Sequence, residues 1–165
     1  MSKIDISEKV DKMKKFSRMV LLVIALLFVF AQVVWSAGAV TTHTVTYIGY
    51  KVYKYTFTWK GDSSTGEVNS FTTPKITGYV FSGITNPGST APTDNYGITL
   101  SDDNGVDIFG GELLNRDTAN SEQAVPKIGN AYGTRFVNSK LTFAVASQSV
   151  NSATGVLDVY IYTGE

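Results

Sequence analysis

The chain has 165 residues, a formal net charge of zero at pH 7 and no cysteine, which excludes disulfides and thiolate metal sites. Lysines and arginines stand singly after residue 39, so this part of the sequence lacks the basic stripe that nucleic-acid binding requires. All nine tyrosines follow residue 40, and with many threonines and valines they give residues 40–165 the composition of one all-β domain.

Residues 1–18 form a charged, basic segment. Ile6, Val10 and Met13 are spaced by four and three residues among charged side chains, which predicts a short amphipathic helix over residues 3–16. One interpretation is a helix on the inner membrane surface, with its lysines against anionic headgroups. The other is a long basic lead-in to a signal peptide, and the sequence leaves both open.

An apolar segment follows over residues 19–39, and it begins with thirteen consecutive apolar residues. Its length matches the roughly 20 residues that a helix needs to cross a bilayer. Basic residues precede it and the next one is Lys51, so the positive-inside rule places the N-terminus inside and residues 40–165 outside. The residues expected to form the membrane anchor are Met19, Leu22, Leu26, Phe30 and Trp35.

The end of the apolar segment also contains a candidate cleavage site. Ala37 and Ala39 are the small residues at −3 and −1 that signal peptidase accepts, and cleavage before Val40 would release a secreted domain. The apolar run is longer than the roughly 7–15 residues of a signal peptide, and Trp35 suits a membrane interface. An uncleaved signal anchor is therefore the favoured interpretation.

From Thr41 to Lys60 the sequence alternates between polar and large apolar residues, which predicts one long, half-buried strand bent near Gly49. Residues 67–72 are expected to return beside it as the second strand of a hairpin. The aromatic residues of the alternation are predicted to belong to the core, and the alternative is a carbohydrate-binding platform over residues 53–59. The core residues predicted here are Tyr55, Phe57 and Trp59.

Further strands are predicted at residues 75–84, 96–100, 135–137, 141–147 and 156–162. Ile98 and Leu100 are expected in the core, and the turn at residues 102–105 should pair residues 106–109 back against them. Residues 110–133 form the longest irregular stretch. Short strands separated by turns of this spacing predict an antiparallel β-sandwich or jelly-roll-like domain, preceded by a single N-terminal transmembrane helix.

The sequence offers few groups for chemistry. The single histidine, His43, is expected to be a solvated linker residue, and the sequence lacks the motifs of common hydrolases and phosphate sites. One concentration of oxygen ligands comprises Asp94, Asp102, Asp103, Asn104 and Asp107. Such residues suit either tight turns or a cation such as Ca²⁺, and the turn is the favoured interpretation. We predict no catalytic residue, no metal and no cofactor.

A longer pattern resembles a known group of proteins. Residues 90–116 read TAPTDNYGITLSDDNGVDIFGGELLNR, flanked by YTFTWKGDSSTGEV at 55–68 and GVLDVYIYTGE at 155–165. The order and spacing of these motifs resemble small structural proteins encoded by bacteriophages and prophages. The resemblance implies a β-sandwich virion or surface protein without enzymatic activity. Such proteins generally lack an N-terminal apolar helix, so its presence here suggests attachment to a membrane.

The leading hypothesis is a non-enzymatic, membrane-anchored structural protein of a bacteriophage virion. Its expected partners are membrane lipid and capsid proteins or like subunits in a homo-oligomer, with no nucleic acid and no small-molecule substrate. It is expected in the virion or the host membrane. One alternative is a pilin-like filament subunit, although Lys14-Lys15-Phe16-Ser17 lacks the glycine of a pilin processing site. Another is a secreted glycan-binding or adhesion module released after Ala39.

Overall fold

A computed structural model describes residues 9–17 and 37–164. The chain divides into two compact units, the first ending at Trp35 and the second beginning at Ser36. In the first unit, residues 9–17 form an α-helix with exposed side chains, apart from the half-buried Val10. This helix overlaps the range 3–16 predicted for the amphipathic helix and extends one residue beyond it.

The predicted anchor residues Met19, Leu22, Leu26, Phe30 and Trp35 lie outside the described residues. Across the described ranges, no helix combines the length and apolar character needed to cross a bilayer. The C-terminal limit of the predicted span is wrong, because Ala37 and Gly38 have no regular structure and Ala39 begins a strand.

Residues 37–164, called here the β-domain, are all-β with antiparallel sheets. The strands are β1 (Ala39–Gly49), β2 (Val52–Lys60), β3 (Phe71–Thr72), β4 (Ile76–Pro87), β5 (Gly97–Ser101), β6 (Glu122–Ala124), β7 (Lys127–Ile128), β8 (Ala131–Tyr132), β9 (Arg135–Ser139), β10 (Thr142–Ala146) and β11 (Thr154–Tyr162). The predicted strands at 75–84, 96–100, 135–137, 141–147 and 156–162 are confirmed by β4, β5, β9, β10 and β11.

The largest sheet has the order β1-β2-β11-β4. The far side of β4 is shared, since its first half pairs with β9 and its second half with β6. A three-stranded sheet has the order β3-β10-β5, and β7 and β8 form a separate ribbon. Strand β1 is therefore one edge of the large sheet, and the short strands β6 and β9 form the other.

The prediction of one long strand over residues 41–60 is wrong, because β1 and β2 are the two arms of a hairpin. Tyr50 and Lys51 connect them with φ values of 51° and 62°, the conformation of a type I′ turn. This turn usually contains Asn or Gly, and no sequence signal marks Tyr-Lys as its central pair. Gly49, with φ of 112°, adds a third left-handed residue rather than a bend within one strand.

The predicted hairpin between β2 and residues 67–72 is also wrong. Both edges of β2 are already occupied, by β1 on one side and by β11 on the other. Phe71 and Thr72 instead pair with Phe143 and Thr142 of β10 in the three-stranded sheet. The chain thus leaves the large sheet after Lys60 and crosses to the smaller one.

The turn at residues 102–105 is confirmed, but its return is shorter than predicted. The Gly105 N–H donates to the Asp102 carbonyl at 2.9 Å, and within the predicted return over residues 106–109 one β-bridge forms, between Asp107 and Ser101. Residues 108–115 then form turns rather than a strand. The stretch 110–133, predicted to be irregular, contains the short strands β6, β7 and β8.

The hydrophobic core joins the two larger sheets. Phe57 of β2 stacks on Phe143 of β10 with ring centroids 5.3 Å apart and planes within 6°. Trp59 packs against Tyr96 at 5.8 Å, just before β5. Of the core residues predicted from the sequence, Phe57, Trp59, Ile98 and Leu100 are fully buried, and Tyr55 is half-buried against them. Burial of each large apolar side chain contributes about 1.5–3 kcal/mol.

Candidate interaction surface

The most exposed long strand of the β-domain is the edge strand β1. Among the described residues it pairs only with β2, so its outer edge presents backbone N–H and C=O groups without a strand partner. Its eleven residues span about 36 Å at roughly 3.3 Å per residue. The strand contains no Lys, Arg, Asp, Glu or Pro, the residues that commonly block an edge.

Two irregularities lie near the ends of β1 and leave its middle regular. The register shifts between Val40 and Thr42 and again between Tyr47 and Gly49. Bulges of this kind disturb pairing locally, but residues 42–47 run opposite residues 53–58 without interruption. The regular part of the edge is therefore six residues long, and it includes the exposed side chains of Val45 and Tyr47.

The two faces of β1 have different chemistry. Thr42, Thr44 and Thr46 share one face, because alternate residues of a strand point the same way. His43 and Val45 share the other face, which continues the core. This second face becomes exposed along the strand, since Val45 is 50% exposed and Tyr47 is 58% exposed.

The expectation that His43 is a solvated linker residue is wrong. His43 lies in β1, and its ring centroid is 4.7 Å from Phe57 and 5.3 Å from Phe71. Its Nε2 atom is buried and has no hydrogen-bond partner among the described residues. Burial lowers the pKa of His43 below 6.5, because the charged imidazolium would lose its hydration. The neutral ring therefore acts as an aromatic packing residue between β1 and the core.

The threonine face of the hairpin carries one pair of opposite charges. Lys54 Nζ lies 3.6 Å from the Asp158 carboxylate, and the Thr56 hydroxyl donates to the other oxygen of the same carboxylate. Both charged side chains are partly exposed, so solvent screens their attraction. These contacts pair the charge of Lys54 with Asp158 of β11, and β1 itself contributes no Lys, Arg, Asp or Glu to the edge.

The acidic turn uses its oxygen atoms as backbone caps. Asp102 Oδ1 accepts the N–H groups of Asn104 and Val106, both at 2.9 Å, and these bonds hold the pKa of Asp102 below its usual value. Asp107 Oδ2 accepts the Gly111 N–H at 2.7 Å. In the part of the chain that the structure describes, no three His, Cys, Asp or Glu side chains are grouped to hold a metal. These bonds are the turn chemistry favoured from the sequence.

The other acidic residues of the cluster have separate partners. Asp103 Oδ2 accepts the Lys140 N–H at 3.3 Å, and the Asp103 N–H donates to Ser139 Oγ at 2.9 Å. Asp94 Oδ2 accepts a bond from the neighbouring Asn95 side chain at 3.1 Å. Asp94 lies in a different turn from Asp102, Asp103 and Asn104, and these side chains have different partners, so the five residues grouped by sequence do not form one ligand set.

The candidate cleavage site lies against the folded β-domain. Gly38 is buried, and its carbonyl accepts the Asn69 N–H at 2.8 Å. A Cβ atom at Gly38 would lie 1.8 Å from the Glu67 carbonyl oxygen, so only glycine fits. Ala37 is exposed beside it, and Ala39 already pairs with Lys60 of β2. Residues 38 and 39 are therefore part of the domain that cleavage was expected to release intact.

The carbohydrate platform considered at residues 53–59 is not an exposed surface, because Phe57 and Trp59 are fully buried. A different aromatic row, missed from the sequence, crosses the opposite face of the large sheet. Tyr162 of β11 is in register with Tyr79 of β4, which is in register with Phe136 of β9. Their exposed fractions lie between 41% and 55%. The sequence signal for this row was an aromatic residue next to a buried position in each of the three strands.

Two surface hollows accompany these features. One has a volume of about 490 Å³ and is lined by residues 67–69 and 145–149. The buried Gln148 beneath it donates to the carbonyls of Gly66 and Val150, both at 2.8 Å, and accepts the Thr93 N–H at 2.9 Å. These bonds tie three loops together, which is a structural role. The other hollow, of about 260 Å³, lies between Phe81 and Tyr160 on the aromatic face.

Comparisons of the chain with protein-family models, with curated proteins and with solved structures found no match.

Proposed function

We propose that this chain is a non-enzymatic, membrane-anchored structural protein of a bacteriophage particle, in which the β-domain packs against like subunits or capsid proteins. The observation that carries the proposal is the long, uncharged and exposed edge formed by β1. A monomeric domain normally blocks such an edge with charges, proline or short strands. A domain that assembles with neighbouring subunits can pair such an unblocked edge with them.

The proposal includes a fold and an anchor. The large sheet and the three-stranded sheet would be the two layers of a β-sandwich, supported by the stacking of Phe57 on Phe143 between them. Residues 19–36 would span the membrane as a helix, with the basic residues 1–18 inside and the β-domain outside. The contacts of Gly38 favour retention of the anchor, since cleavage after Ala39 would remove its bond to Asn69.

Intact mass tests the anchor directly. A retained anchor gives the protein isolated from its native particle or membrane a mass near 17.9 kDa. A mass reduced by residues 1–39 would contradict the anchored role. In a second test, replacing both Leu22 and Leu26 with Arg should abolish flotation of the chain with membranes, because each charge is costly at the centre of a bilayer. The matched control replaces the exposed Val106 with Arg and should still float.

The exposed aromatic row favours the secreted glycan-binding module as a second candidate. Tyr79 and Phe136 have ring centroids 5.2 Å apart, and exposed aromatic rings can stack on sugars. Under this candidate, the wild-type protein binds a polysaccharide resin and Tyr79→Ala reduces its retention, whereas Tyr47→Ala on the edge hairpin does not. Equal retention of the wild-type protein and of Tyr79→Ala on the resin would contradict this candidate.

A further inference from the structure

We propose that β1 pairs antiparallel with β1 of a second copy of this chain, so that two large sheets join into one continuous sheet. The inference rests on the proposed function for its setting, because it names the surface through which like subunits meet. Its physical basis is the β-domain itself and does not depend on where the protein is anchored.

The first reason is the unused hydrogen-bonding capacity of β1. An edge strand directs alternate backbone N–H and C=O groups away from its sheet, and among the described residues no strand accepts those of β1. A matching strand beside it would satisfy these groups through a ladder of the same kind as the one to β2. The regular segment over residues 42–47 provides an unbroken template for that ladder.

The second reason is that a copy of β1 matches the edge better than the opposite edge of the same domain. That opposite edge consists of β6 with three residues and β9 with five, and β9 contains Arg135. Neither short strand can pair with all eleven residues of β1. A second β1 has equal length, and a pairing between identical strands closes as a two-fold dimer instead of a fibre.

The third reason is charge. Like charges that lie directly opposite one another destabilise strand pairing. When two copies of one strand pair, the residues of that strand lie opposite residues of the same strand, so any charge it carried would meet charges of its own kind. Since residues 39–49 carry no Lys, Arg, Asp or Glu and His43 is neutral, self-pairing opposes no charges. The exposed Val45 would then gain the neutral aromatic ring of His43 as a neighbour on the core-facing side of the joined sheet.

The position of the two-fold axis follows from the faces of the strand. Directly opposed residues of an antiparallel pair point to the same face. The two-fold axis must therefore lie between two copies of the same residue, because neighbouring residues of a strand point to opposite faces. The middle residue of β1 is Thr44, and an axis there pairs residues 42–46 of one copy with residues 46–42 of the other, all within the regular segment. Thr44 of one copy then faces Thr44 of the other, and His43 faces Val45.

A charge-swap experiment on the full chain in detergent tests this pairing. Thr44→Lys and Thr44→Glu should each weaken the dimer about fivefold or more in sedimentation equilibrium, because each places two like charges opposite one another. Mixing the two variants should restore the dimer, since Lys then faces Glu. Thr77→Lys, on an exposed threonine of the interior strand β4, is the matched control and should leave dimerisation unchanged.

Cross-linking provides a second measurement, because the chain has no cysteine of its own. Mild oxidation should convert Thr44→Cys into a disulfide-linked dimer, whereas Thr77→Cys should remain a monomer on non-reducing gels. A monomeric wild-type chain, or a dimer unaffected by either charge at residue 44, would overturn the pairing. Circular dichroism of each variant distinguishes a lost interface from a lost fold.

These outcomes separate the pairing from the proposed function. An anchored chain of full mass whose association ignores residue 44 would retain the structural role and lose the β1 interface. A chain without its first 39 residues that still shows the charge swap would retain the interface and lose the anchored role. Association through the membrane segment alone would be insensitive to residue 44, because these substitutions do not alter that segment.

Discussion

Replacement of Trp59 by alanine tests the packing on which the β-domain depends. Trp59 is fully buried, packs against Tyr96, and lies so close to Gly155 that a Cβ atom there would be 2.5 Å from its ring. Burial of about 150–250 Å² by an aromatic side chain, at roughly 25 cal/mol per Å², corresponds to about 4–6 kcal/mol. The indole N–H has no partner among the described residues, and its removal offsets part of the loss.

We therefore expect Trp59→Ala to lower the free energy of unfolding by about 3–5 kcal/mol, toward the lower end of that range. Urea denaturation followed by circular dichroism measures the change, with Val106→Ala on an exposed side chain as the control. Trp59→Phe keeps most of the ring contact without the unpaired N–H, so its loss should be clearly smaller. A loss below about 1 kcal/mol for Trp59→Ala would refute the burial of this face.

Two further expectations concern ionisable groups. The folded state disfavours protonation of His43, so below pH 6.5 the unfolded state binds a proton first and stability falls as pH decreases. His43→Phe should reduce this loss of stability between about pH 6.5 and the lower pKa of the folded state, measured as the thermal midpoint against pH. An unchanged pH profile would mean that other groups cause the loss. Asp102→Ala should lower the thermal midpoint by removing two backbone caps, whereas Asp94→Ala should not. Equal losses for the two variants would contradict the capping role.

Alternation of residue types was sufficient to predict most strands of the β-domain. In β11, Leu157, Val159 and Ile161 are fully buried while the residues between them are half-buried, which is the period-two pattern of a sheet with one face on the core. The same pattern located β5 and its core residues Ile98 and Leu100. The prediction succeeded there because each strand has one clearly apolar face.

Strand partners could not be predicted in the same way. Alternation indicates which face of β2 is buried, but it carries no information about which strands lie on either side of it. Residues 67–72 are close to β2 in sequence, whereas its actual neighbour β11 is about one hundred residues away. The turn chemistry favoured for the acidic cluster needed no such information and is confirmed, because Asp102 and Asp107 accept backbone N–H groups from residues two to four positions later in the chain.

The turn that escaped sequence analysis also creates the candidate interaction surface. If residues 41–60 were one bent strand, its alternation would continue and residues 41–49 would not lie beside residues 52–60. The left-handed pair Tyr50-Lys51 reverses the chain and places β1 at the outside of the sheet. Because the other side of β2 is taken by β11, β1 cannot move to an interior position. An uncharged segment that would be ordinary inside a sheet thus becomes an unblocked edge, and this position is the reason that we propose a second β1 as its partner.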